Sequence, residues 1–139
     1  MNEIKIAFIG LGVMGFPMAG LLSNAGYHVS IFNRNNMKAK NWIKKHKGNL
    51  CSSPYEASIE SDFIITCVGK DEDLKEVLEG EKGALKSAKK GAILIDHTTA
   101  SANIAKYFYD KCKLLDIGFL DAPISGGQAG AENGKLSIM

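Results

Sequence analysis

The feature that most limits what this chain can fold into is the run Gly10-Leu11-Gly12-Val13-Met14-Gly15. It follows an apolar strand pattern, Ile4–Ile9, and opens a helical one, Met14–Ala25. Glycines at this spacing answer three geometrical demands. Gly10 permits a tight turn, Gly12 lets the backbone approach a ligand, and Gly15 lets the helix pack closely on the strand. The N–H groups at the start of that helix have no intrahelical acceptors, and with the helix dipole they favour an anion such as a pyrophosphate. Pro17 falls in the first turn, where its missing N–H does no harm. The pattern predicts a bound dinucleotide beyond the end of the first strand.

The rest of the chain repeats the alternation of strand and helix. Strands are predicted at His28–Phe32, Phe63–Val68, Ala92–Asp96 and Phe119–Asp121, with a weak one near Asn49–Cys51. Helices are predicted at Met37–Lys47, Asp71–Glu79 and Ser101–Lys113, with short turns after Pro54 and around Leu85–Lys89. In the last helix Ile104, Tyr107, Phe108, Lys111, Cys112 and Leu115 fall on one stripe expected to face the sheet, the Lys111 stem along its edge. At 139 residues this is one α/β domain: a doubly wound, mainly parallel sheet with helices on both faces. The apolar end, Leu136-Ser137-Ile138-Met139, is strand-like and without a polar tail, as in a shortened chain.

The end of the second strand bears on which dinucleotide is held. An NAD site usually places Asp or Glu there, to accept hydrogen bonds from the ribose hydroxyls. Here Ile31-Phe32 is followed by Asn33 and Arg34. Asn33 carries no charge to repel a 2′-phosphate, and Arg34, the only arginine among 17 basic residues, can bind one through its planar fork. Together they read as NADP in preference to NAD.

Composition excludes other classes. A formal charge of +2 gives no field for nucleic acid or a membrane surface. Lys44-Lys45 and Lys89-Lys90 read as solvated surface. Cys51, Cys67 and Cys112 are odd in number and far apart, which suits packed thiols and neither a disulfide framework nor a zinc site. His28, His46 and His97 have no ligand-spaced partners, so no metal is expected, and His97 is read as a turn residue. Trp42, Phe32 and Phe63 are core candidates. With Met1 running straight into strand and no span-length apolar run, a cytoplasmic protein is expected.

Two longer strings carry a resemblance. Gly10-Leu11-Gly12-Val13-Met14-Gly15-Phe16-Pro17-Met18-Ala19 and Asp121-Ala122-Pro123-Ile124-Ser125-Gly126-Gly127 are similar to the opening and the substrate motif of the β-hydroxyacid dehydrogenases. That family includes 3-hydroxyisobutyrate dehydrogenase, tartronate semialdehyde reductase and, more distantly, 6-phosphogluconate dehydrogenase. Ile124 stands for the usual Val, and Val68-Gly69 for the usual Leu-Pro. The resemblance covers essentially the whole chain and implies a Rossmann-type dinucleotide domain, with NADP as the cofactor read from Asn33 and Arg34. It implies cofactor contacts from Gly10 to Gly15 (Leu11, Gly12, Val13 and Met14 included), from Asn33 and Arg34, from Val68, Gly69 and Asp73, and from Thr99. It implies substrate contacts from Ser125, Gly126 and Gly127, whose adjacent amides also suit an anion on physical grounds. The implied substrate is a small carboxylated hydroxyacid or semialdehyde.

The family's acid/base lysine belongs to a helix beyond Met139, and Lys135 is read as surface, so no catalytic residue is expected in this chain. The all-helical C-terminal domain and the homo-oligomeric contacts would lie there too. Alternatives are a non-catalytic NADP-binding or sensing module and an imine-reductase-like enzyme.

Overall fold

Ile6, Ala7, Phe8 and Ile9 are all buried, which only a strand covered on both faces can achieve. In the computed structural model, which describes residues 3–139, this strand, β1 (Lys5–Ile9), lies inside a six-stranded sheet. Met1 and Asn2, part of the reading of the N-terminus, lie outside the described residues.

The other strands are β2 (His28–Phe32), β3 (Asn49–Leu50), β4 (Phe63–Thr66), β5 (Ile93–Asp96) and β6 (Gly118–Asp121). Their order is β3-β2-β1-β4-β5-β6, and every neighbouring pair is parallel. The helices are α1 (Gly15–Asn24), α2 (Asn36–Lys45), α3 (Pro54–Ser58), α4 (Asp71–Glu79) and α5 (Ala102–Leu114). This is the doubly wound Rossmann-type fold the alternation predicts.

The two-residue period of β1 divides the core. Ile6 and Phe8 join Val29, Ile31, Leu11 and Trp42 on one face. Ala7 and Ile9 join Ile64, Leu74, Leu94 and Phe108 on the other. Trp42 is fully buried, its Nε1–H donating to the Phe16 carbonyl at 3.2 Å, while Phe32 and Phe63 pack against the clusters from partly exposed positions. Each large apolar side chain so buried contributes roughly 1.5–3 kcal/mol.

Several expectations need correction. β4 ends at Thr66, not Val68, because the chain leaves the sheet there to line a cavity. The α5 stripe is narrower than predicted. Ile104, Phe108 and Cys112 are buried, but Tyr107 and Leu115 are exposed, and the Tyr107 hydroxyl donates to Glu79, which Lys111 also engages. Lys89 is not free surface, since it pairs with Asp62 at 2.8 Å. The turn after Pro54 is a helix, α3, capped by Ser53 Oγ accepting from the Glu56 N–H.

The strand-like end finds a partner unseen in the sequence. β8 (Ser137–Ile138) pairs antiparallel with β7 (Ile124–Ser125) around α6 (Gly127–Glu132), a small sheet beside the main one. Among the described residues no helix is long and apolar enough to cross a membrane.

Candidate functional site

In the sheet order, β2 and β4 flank β1, so the chain runs outward from the centre in both directions, and a crevice opens where the strands end. There a cavity of about 510 Å³ is lined by Gly10, Gly12–Gly15, Phe32–Asn35, Val68-Gly69, Asp73 and others.

The glycines meet different surroundings. Gly10 has φ +104°, and a Cβ on it would stand 2.2 Å from the Cys67 carbonyl oxygen. A Cβ on Gly15 would stand 2.0 Å from the Gly10 oxygen. At Gly12 it would meet nothing within 4 Å, because that face opens into the cavity. Among the described residues the N–H groups of Gly12, Val13 and Met14 have no acceptor, and Met14, at the N-cap of α1, offers no side-chain cap. This N-terminus presents donors and a positive dipole end to an open cavity, which fits a pyrophosphate.

Leu11 departs from the expected set. Its side chain is buried in the core, and its N–H is already spent on Asn33 Oδ1 at 2.8 Å. Asn33 completes a local brace by donating from Nδ2 to the Asn35 carbonyl. Both polar ends of Asn33 are thus engaged by backbone. Arg34 extends outward and meets Asp73 across the cavity, Nη1 to Oδ1 3.1 Å.

The loop after β4 is tied to the loop after β5. The Val68 N–H donates to Thr98 Oγ1 at 3.1 Å. Asp96 Oδ1 accepts from the Thr98 N–H and from Thr66 Oγ1, at 3.0 and 2.8 Å. Asp96 is buried, its Oδ2 has no partner among the described residues, and this burial pushes its pKa up despite the two hydrogen bonds. His97 Nδ1 lies 2.7 Å from the Ala122 carbonyl oxygen, which makes His97 a buried tie between β5 and the chain after β6.

Thr99, Ser125, Gly126 and Gly127 are exposed and lie outside the cavity wall. Sequence reasoning missed Lys38 and Lys82 on that wall, and also Cys67. The available signal for Lys38 was a lysine in the first turn of the helix that follows Arg34. Burial raises all three thiols to about 11, so none is poised as a nucleophile.

Residues 5–139 match the family described as the NAD binding domain of 6-phosphogluconate dehydrogenase. The chain belongs to that family. This NAD(P)-binding domain is 51% identical over 97% of its length to an uncharacterized oxidoreductase of Shewanella frigidimarina, of which it covers 46%. It is 36% identical over 99% of its length to mouse mitochondrial 3-hydroxyisobutyrate dehydrogenase, covering 41% of that protein. A solved 3-hydroxyisobutyrate dehydrogenase of Mycobacterium tuberculosis, with L-serine, superposes with a TM-score of 0.91 at 31% identity. That match covers 99% of this domain and 46% of the solved chain. The chain thus spans less than half the length of these relatives.

Proposed function

We propose that this domain binds NADP(H) in preference to NAD(H), and serves an oxidoreductase acting on a short carboxylated β-hydroxyacid or semialdehyde. The carrying observation is the end of β2, where Asn33 spends its oxygen on the glycine loop and its amide nitrogen on the Asn35 carbonyl while Arg34 and Lys38 face the cavity. A 2′-phosphate finds cations there and no carboxylate on that strand end, whereas the ribose hydroxyls of NAD lack the acidic acceptor usual at that position.

When bound, the cofactor would supply or accept hydride at its nicotinamide. The chain's own part is binding and orientation. The Gly12, Val13 and Met14 amides hold the pyrophosphate, and the Asp96–Thr98–Val68 brace fixes the two loops beside it. Thr99 stands near the nicotinamide, and Ser125 with the Gly126 and Gly127 amides holds the substrate's anionic group. The acid/base lysine comes from residues outside 1–139, and the complete enzyme is a homo-oligomer.

Calorimetric titration with NADPH and NADH tests the cofactor reading. Tighter binding of NADPH is expected, with Arg34→Ala weakening NADPH alone by roughly 1.5–3 kcal/mol, about ten- to a hundredfold. Equal affinity for both cofactors in the unaltered domain would contradict it.

A further inference from the structure

Arg34 is held before any ligand arrives. Its guanidinium, 85% exposed, pairs with a carboxylate only 19% exposed, and the two residues come from opposite walls of the cavity. Asp73 is the less mobile partner. It sits in the first turn of α4, where the helix dipole favours its negative charge. Its second oxygen lies over Gly69, so closely that a Cβ there would stand 2.8 Å away. A side chain at Gly69 would push the carboxylate from this position. Lys38, Glu76 and Lys82 complete the charges on the wall.

We propose that Asp73 is a specificity-determining residue which occupies the Arg34 guanidinium until a 2′-phosphate displaces it, and so limits the preference for NADP(H). The inference rests on the NADP reading given above. NAD carries a neutral 2′-hydroxyl and leaves the ion pair intact. NADP gains the guanidinium only by breaking or sharing that pair, after which Asp73 keeps its charge beside the phosphate without its counter-ion. The exposure of Arg34 lets the exchange proceed by side-chain rotation.

The test uses the fact that Arg34 is the chain's only arginine, so its Nε–H is the one arginine side-chain NMR signal. In the ligand-free domain that signal shifts on Asp73→Asn; in the unaltered domain it moves on adding NADPH and stays in place with NADH. By titration, the ratio of NADPH to NADH affinity rises about fivefold in Asp73→Asn, the upper range for an exposed ion pair. The rise vanishes when Arg34→Ala is also present. An unchanged or lowered ratio overturns the proposal and makes Asp73 an ordinary cofactor contact, as does an equal rise in the Arg34→Ala background. Failure of the NADP reading shows separately, as Arg34→Ala without effect on NADPH, with the ion pair still visible in the ligand-free spectra.

Discussion

At the residue scale the glycine motif separates folding from binding. The spacing in the sequence shows that glycines are needed, but not that they are needed for different reasons. A methyl at Gly15 collides with the Gly10 backbone oxygen, which cannot move without disrupting the turn, whereas a methyl at Gly12 enters open space. Gly15→Ala should therefore destabilise the domain by about 1–3 kcal/mol, as overpacking does, seen as a lower melting temperature. Gly12→Ala should melt within about 0.5 kcal/mol of the unaltered domain, and yet bind NADPH roughly tenfold or more weakly, because the methyl displaces the phosphates from the amides. Comparable loss of stability in both variants would contradict this division. Asn33 shows what a motif conceals. It was read as a missing charge, and its hydrogen bond to the Leu11 N–H makes it a brace for the loop as well.

At the scale of elements, periodicity revealed most of what burial alone decides. β1, β2 and α4 lie where their patterns put them, because each has a clear apolar face and clear ends. α5 misleads at Tyr107, since an aromatic ring on the stripe can equally lie outward if its hydroxyl has a carboxylate such as Glu79. The brace between the β4 and β5 ends was illegible because it joins residues 30 apart through side chains. Its carboxylate gives an unusual pH response. Asp96 has a pKa raised by burial above the 3.8 of an ordinary aspartate, so the native state holds this proton more tightly than the unfolded chain. Stability from this group is thus full below about pH 4 and is lost as pH rises through the raised value. Asp96→Asn keeps an oxygen for Thr66 and Thr98 and removes the charge. It should melt at a higher temperature than the unaltered domain at neutral pH, with the difference shrinking towards pH 4. A difference independent of pH would show that Asp96 is not the titrating group.

At the scale of the whole molecule, one end of the site is built and the other is open. The cavity runs from the glycine loop across the ends of β2 and β4 to α4, so the groups suited to phosphates and adenosine converge. Ser125 and Thr99 lie exposed towards the β6 side of the sheet, where Leu120 is 54% and Ile138 63% exposed. On the function proposed above, this apolar edge beside exposed polar groups is the surface that further protein would cover to exclude water from a hydride transfer. Proton exchange with the substrate oxygen also needs a positioned acid. Among the described residues Lys135 is the only lysine after Ser125, and it is exposed. Binding and turnover should therefore separate. Purified 1–139 should retain NADPH affinity but show no measurable fall in NADPH absorbance with a short carboxylated semialdehyde, whereas a protein of the relatives' full length should oxidise it. Substantial turnover by 1–139 would mean that the acid/base group is already within these residues, and would direct attention to the Thr98-Thr99 turn and His97.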